Sequence, residues 1–261
     1  MCVRALRMQV NQIIVVDNGS HTEHISLLHV LERYDNLKLL KSQENRGIGA
    51  AINLALAYLS DFQVDWVLTM DQDSVAAPDM VEKMLQLASN YPMAAFTPLI
   101  ADIGQNTKCV TPFEVNFAIT SGNLIPLSVL QSLNGLTEDL FIDGVDFDLS
   151  LRLRKAGYRI IRVPEARMAH TLGNVDKGQR QRYFHTYHSP LRRYYMARNT
   201  VLNSRRHFYR FPWFITRLLL ISCISLIQVM IWGPKRRKSL SMIFLGIIDG
   251  IHNKSGMYAR N

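Results

Sequence analysis

Two aspartates one residue apart, Asp71 and Asp73, follow directly on the apolar run Asp65 to Met70 (DWVLTM). Carboxylates at i and i+2 in a strand-terminal loop can face one point. Hard oxygen ligands of this kind suit Mg²⁺ or Mn²⁺, ions commonly shared with substrate phosphates. An isolated Asp-x-Asp is more often an ordinary polar turn, so the pair gains meaning only from its company. Asp143, Asp146 and Asp148 crowd the start of a helical pattern, where negative charge also simply complements the helix dipole. Asp146 differs if it faces the same pocket as Asp71 and Asp73, because a carboxylate beside a neutralised phosphate can act as general base toward a hydroxyl. His170 lies past the apolar strand pattern Tyr158 to Val163. A lone histidine is usually a core or surface residue, yet at a strand end it is a candidate further metal ligand.

Two other clusters suit a nucleotide. Asp17-Asn18-Gly19-Ser20 closes the β-branched run Val10 to Val16, at the kind of strand end where open α/β sheets place ligands. Asp17 there either accepts hydrogen bonds from a base or ribose or caps its own turn. Asn45-Arg46-Gly47-Ile48-Gly49 precedes an Ala/Leu-rich segment and can aim backbone N–H groups or Arg46 at a diphosphate, or merely start a helix. The lysine and spacing of a Walker loop are missing.

The elements that must position these residues alternate. Strands are expected at Val10 to Val16, Leu37 to Leu40, Asp65 to Met70 and Tyr158 to Val163. Helices are expected at about Thr22 to Tyr34, Gly47 to Leu59, after Pro78, near Leu127 to Leu133 and over Leu149 to Ala156 with Gly157 as C-cap. This spacing predicts an α/β fold with a mainly parallel central sheet. The 261 residues, 48% of them apolar, are enough for one large domain or one domain with an appendage. Three widely separated cysteines offer neither a disulfide framework nor a Cys-rich zinc site, and Met1 to Gln12 has no apolar core of a signal peptide.

Charge divides the chain. Residues 1–150 hold eight Lys/Arg against eighteen Asp/Glu, a balance of −10, whereas residues 151–261 hold twenty-two against three, a balance of +19. From about Ser189 the pattern changes to a basic helix, Pro190 to His207. The apolar stretch Trp213 to Trp232 follows, then Lys235-Arg236-Arg237-Lys238. Twenty apolar residues can just span a bilayer, but the basic flank, the Trp pair and Arg217 favour a helix lying in the interface. An anionic membrane surface is therefore the expected partner of the basic half. Nucleic acid is not, because the charge flanks an apolar segment instead of an aromatic-lined groove.

Taken in order, Ile13-Ile14-Val15-Val16-Asp17-Asn18-Gly19-Ser20, Glu44-Asn45-Arg46-Gly47, Asp71-Gln72-Asp73, Ser121-Gly122-Asn123 and Phe141-Ile142-Asp143-Gly144-Val145-Asp146 resemble the family 2 glycosyltransferases, which have the GT-A fold. The DQDS and FIDxVD forms look most like the bacterial rhamnosyltransferase branch. The resemblance implies a glycosyltransferase domain over residues 1–188 and a helical, membrane-associating tail over 189–261. It implies that Asp17 contacts the nucleotide base, that Asn45, Arg46 and Gly47 line the nucleotide pocket, and that Asp71 reaches the ribose or metal-bound water. It further implies that Asp73 and His170 bind Mg²⁺ or Mn²⁺ and that Asp146 deprotonates the acceptor hydroxyl. The implied donor is a nucleotide-sugar of the dTDP-rhamnose kind. The implied acceptor is a glycan or lipid-linked sugar for surface polysaccharide, met in the cytoplasm at the inner face of the cell membrane.

Two positions depart from the pattern. Val145 stands where the family commonly has an acidic residue, and Met1 to Met8 supplies only the end of the helix that in the family follows a first, sheet-interior strand with a Thr-Tyr-Asn-like contact. The expectation is an N-terminally truncated domain lacking that strand. A truncated, inactive membrane-peripheral scaffold is the alternative it raises.

Overall fold

The computed structural model describes residues 1–20, 28, 30–100, 110–170, 188–233 and 235–259. It divides into two compact units, one of Met1–Glu138 with Leu149–Thr171 and one of Asp139–Asp148 with Leu172–Asn261.

In the first unit, helix α1 (Cys2–Leu6) precedes strand β1 (Ile13–Asn18), which pairs in parallel with β2 (Leu37–Ser42), Ile13 opposite Leu37 and Asn18 opposite Ser42. The helix expected over Thr22 to Tyr34 falls largely outside the described residues; a 3₁₀ turn covers Val30–Arg33. Helix α2 (Ile48–Leu59) starts where its Ala/Leu pattern begins. Then come β3 (Trp66–Thr69), β4 (Ser74–Ala76), α3 (Met80–Leu85), β5 (Ala94–Ile100), β6 (Phe113–Glu114), β7 (Asn123–Pro126) and α4 (Leu127–Ser132). Helix α5 (Val145–Lys155) and strand β8 (Arg159–His170) complete it, the first turn of α5 being grouped with the second unit.

The second sheet has the path β3-β7-β5-β8-β4, with β6 on β8. Its long central pairing, β5 on β8, is parallel, like β1 on β2, while the antiparallel ladders are shorter. All seven residues of β5 are buried, as expected for a strand covered on both faces. Pro98 is accommodated at the register shift between Pro98 and Leu99, the kind of irregularity that tolerates a missing N–H. The core joins Phe96, Met80, Met84, Leu124, Ile161 and Met168 to Ile13, and Val15, Trp66 and Leu68 pack against it. Thus β1 and β3 share one core although the described strands form two separate sheets, with β3 ending the path of its own.

Several boundaries differ from the sequence expectation: β1 runs from Ile13 to Asn18 instead of Val10 to Val16, so Asp17 and Asn18 belong to the strand, and β2 runs on to Ser42. Helix α5 begins at Val145, not Leu149, so Asp146 and Asp148 lie in its first turn. Strand β8 continues past Val163 to His170, alternating buried Ala166, Met168 and His170 with exposed Glu165, Arg167 and Ala169. His170 is therefore the last residue of the strand, held by its ladder.

The second unit is helical. Helix α6 (Pro190–His207) starts with Ser189 accepting from Arg192 N and Pro190 in the first turn. Helix α7 (Pro212–Trp232) and helix α8 (Arg236–Ile251) follow. Helix α7 buries Ile215 and Val229, while Trp213, Leu220, Ile224, Ile227 and Trp232 are exposed. Among the described residues it is the one helix long and apolar enough to cross a membrane.

Candidate active site

Asp71 and Asp73 occupy the turn between β3 and β4. The three-residue strand β4 pairs antiparallel with the end of β8, Ser74 directly opposite His170. That register carries Asp73, one residue earlier, to the imidazole, with Asp73 Oδ1 3.6 Å from His170 Nδ1. One ligand atom from each of Asp71, Asp73 and His170 lies within 4.8 Å of the others. Two carboxylates and an imidazole at this spacing fit a divalent cation that keeps positions open for water or phosphate oxygen.

Hydroxyl groups hold this cluster from behind. Ser74 Oγ is 2.7 Å from His170 Nδ1 and 2.6 Å from Ser121 Oγ, and Asp71 N donates to Ser121 Oγ at 3.1 Å. Ser74 and Ser121 are fully buried, His170 nearly so. Partners of this kind fix ring orientation and tautomer for a metal-binding histidine. Burial pushes the Asp71 carboxyl above the usual carboxylate range; His170 opposes the rise and Asp73 adds to it. Sequence alone assigns neither serine a role. The signal available was a hydroxyl adjoining each candidate loop, in DQDS and SGN.

The two nucleotide-type loops meet. Asn18 Nδ2 donates to Asn45 Oδ1 and to Gly47 O, both at 3.1 Å, and Arg46 N donates to Asn18 Oδ1 at 3.0 Å. Gly19 makes this approach possible. Its φ is +78°, and a Cβ there would lie 2.5 Å from Asn45 N and from the Glu44 carbonyl carbon. Asp17 is 4% exposed and accepts from Ser20 N at 3.1 Å, the turn-capping arrangement that its sequence context allowed. Arg46 forms an ion pair with Glu138 at 3.1 Å, and Glu138 also accepts from Asn53 Nδ2 at 2.9 Å. Glu138 is a neighbour the sequence reading missed, ninety-two positions away from Arg46. Asp146 belongs to the second unit, where its Oδ1 accepts from Phe147 N at 2.9 Å.

Among solved structures, a mannosyltransferase from Pyrobaculum calidifontis in complex with GDP-Man and Mn²⁺ superposes with a TM-score of 0.61 at 14% identity, over 94% of this chain and 79% of that one. TarS of S. aureus in complex with UDP-GlcNAc gives 0.60 at 14%, over 97% and 76%. The fold is that of the GT-A glycosyltransferases. Residues 1–122 match the family described as Glycosyl transferase family 2. The chain is 25% identical over 275 residues to the dTDP-rhamnosyl transferase RfbF of Shigella flexneri, spanning 97% of this chain and 90% of that protein. It is 27% identical over 203 residues to an N-acetylglucosaminyl-diphospho-decaprenol L-rhamnosyltransferase of Mycobacterium tuberculosis, spanning 60% and 66%. The match to glycosyltransferase family 2 covers residues 1–122, and the two relatives similar over more of the chain are rhamnosyltransferases. Nothing in these relationships favours an inactive scaffold.

Proposed function

We propose that this enzyme transfers rhamnose from a nucleoside-diphosphate sugar of the dTDP-rhamnose kind to a hydroxyl of a glycan or lipid-linked acceptor in O-antigen-like surface polysaccharide synthesis. The observation that carries the reading is the convergence of Asp71, Asp73 and His170, from the β3–β4 turn and the end of β8, around one cation-sized space. A relative whose name specifies a dTDP-rhamnosyl transferase supports the donor, and one acting on an N-acetylglucosaminyl-diphospho-lipid supports the acceptor class.

Asp73 and His170, with Asp71 beside them, hold Mg²⁺ or Mn²⁺, which when bound supplies Lewis-acid stabilisation of charge on the diphosphate. Asp17, Asn45, Arg46 and Gly47 line the nucleoside and phosphate portion of the donor. Asp146 takes the proton of the acceptor hydroxyl as that oxygen bonds to the anomeric carbon. The carbon–oxygen bond to the diphosphate breaks, its electron pair leaving with the nucleoside diphosphate, and the configuration inverts. The exposed apolar side of α7, with Lys235, Arg236, Arg237 and Lys238 beyond it, rests in the plane of an anionic membrane at its cytoplasmic face, where a lipid-linked acceptor is met.

Donor binding and turnover separate the roles. Asp73→Ala abolishes metal-dependent binding of dTDP-rhamnose measured by calorimetry, whereas Asp146→Ala keeps that binding and loses transfer. Metal-dependent binding that survives Asp73→Ala, or full transfer by Asp146→Ala, overturns the corresponding assignment.

A further inference from the structure

The segment Asp139–Asp148, which carries Asp146, is grouped with the C-terminal helices, and its backbone is unusual. Phe141, Asp143 and Gly144 all have left-handed conformations, with φ of +60°, +61° and +81°. Two of the three carry side chains, for which this conformation is costly unless surrounding groups impose it.

One face of α6 imposes it. Arg192 donates to the Asp143 carboxylate from Nε at 3.0 Å and Nη2 at 2.9 Å. Asn199 Nδ2 faces three carbonyls, Leu140 O at 2.8 Å and Ile142 O and Asp143 O at 2.7 Å, its two N–H groups shared among them. One turn on, Asn203 Nδ2 donates to Gly144 O at 3.0 Å. One turn further, His207 Nε2 donates to Asp148 Oδ1 at 2.8 Å. From Asn199 to His207 the helix reads the loop in sequence order, through side chains that lie one above another along α6.

The Asn199 amide cannot turn over without loss. Its Oδ1 accepts from Arg198 Nε at 3.0 Å. The Arg198 guanidinium is itself fixed, 5.5 and 5.0 Å from the Tyr194 and Tyr195 ring centres and donating to Gly256 O at 2.7 Å and Leu140 O at 3.1 Å. Both side chains are 1% exposed. A buried amide oriented in this way presents donors only toward the loop.

We propose that Asn199 is a positioning residue for Asp146: by gathering the carbonyls of Leu140, Ile142 and Asp143 it sets the left-handed turn from which the first turn of α5 presents that carboxylate. The inference rests on the reading of Asp146 as the base.

The test uses the full chain and Asn199→Asp, which keeps size but replaces the donating amide with a carboxylate facing three carbonyls. The expected result is a fall in transfer kcat of about a hundredfold, the scale of a roughly 1 Å misplacement, with metal-dependent dTDP-rhamnose affinity unchanged within about twofold. In the Asp146→Ala background the same change is expected to add nothing, because the two residues act as a unit. Retained kcat in the folded variant, donor affinity lost in step with kcat, or losses that multiply in the double variant would each overturn the proposal. Should Asn199→Asp not fold, Asn203→Ala removes only the bond to Gly144 O. It is expected to lower kcat about tenfold at constant donor affinity, and a constant kcat rejects the idea. Asp146→Ala alone distinguishes the two failures. If it transfers normally the base assignment falls, and if it is inactive while Asn199→Asp is fully active, only the positioning role falls.

Discussion

Ser74 and His170 stand directly opposite one another in the β4–β8 ladder, and the serine hydroxyl lies 2.7 Å from Nδ1 of the imidazole. This pairing turns a polar loop into a candidate metal centre, because the register that fixes Ser74 also delivers Asp73 to the same ring. Ser74→Ala removes the hydroxyl that orients the imidazole and leaves Ser121 Oγ and His170 Nδ1 short of a buried partner. Mn²⁺ affinity in the presence of donor nucleotide is expected to fall about 10- to 100-fold, with a stability loss of about 1–3 kcal/mol. Calorimetric titration and urea unfolding measure the two effects. Unchanged Mn²⁺ affinity would mean that the ladder does not organise the site.

Gly19 is the point at which the DNGS and ENRG loops touch. Alanine there meets both a positive φ and backbone atoms of Glu44 and Asn45 that have no flexible end to yield. Gly19→Ala is expected to cost about 2 kcal/mol or more and to separate the loops, weakening donor affinity together with stability. A variant that unfolds at the wild-type urea midpoint and binds donor normally would show that this close approach carries no weight.

The parts of the fold written in local pattern were legible in the sequence. The apolar half of the run VNQIIVV lies in β1, which continues into Asp17 and Asn18, the Ala/Leu pattern is α2, and Pro190 to His207 is α6 from its first residue to its last. The fully buried β5 escaped notice because Pro98 argues against a central strand unless a register shift is known. The extension of β8 was readable in the alternation of Glu165, Arg167 and Ala169 with Ala166, Met168 and His170, but Pro164 and the charges obscured it. Asp71, Asp73 and His170 could be nominated as candidates from their types. Their meeting could not be derived, because a three-residue strand with no periodicity of its own closes ninety-six positions of chain between Ser74 and His170. The grip of Asn199 on the Asp143 loop is equally long-range, and a buried asparagine in a basic helix gives no local sign of it.

Helix α7 has two apolar faces. Ile215 and Val229 are buried within the helical unit, whereas Leu220, Ile224, Ile227 and Ile231, spaced by three and four residues, form an exposed stripe. With four basic residues beyond its end, the segment should bind vesicles containing anionic lipid and release them as salt rises. Replacing Ile224 and Ile227 by Glu is expected to abolish sedimentation with such vesicles at any salt concentration. Changing Lys235, Arg236, Arg237 and Lys238 to Ala should weaken binding on the order of a hundredfold or more, at about 1 kcal/mol per basic residue, and remove most of the salt dependence. Equal sedimentation with neutral and anionic vesicles would contradict the electrostatic part.

Asp71 links the metal site to pH. In the metal-free protein its carboxyl holds a proton to higher pH than in the unfolded chain, chiefly because it is buried. Above the ordinary carboxylate range the folded state then binds more protons than the unfolded state. Rising pH therefore lowers stability until the raised Asp71 value has been passed. A divalent cation reverses the balance, since it favours the ionised carboxylate. The metal-induced rise in Tm should be largest near neutral pH and shrink as pH falls through the window in which Asp71 takes up its proton. Asp71→Asn isolates the carboxyl: the metal-free variant should lose the decline in stability on moving from moderately acidic toward neutral pH, and its metal-induced Tm shift should lose the part of its pH dependence that Asp71 causes. Thermal melts with and without Mn²⁺ across that range decide the matter. Identical pH profiles for wild type and Asp71→Asn would place the proton elsewhere.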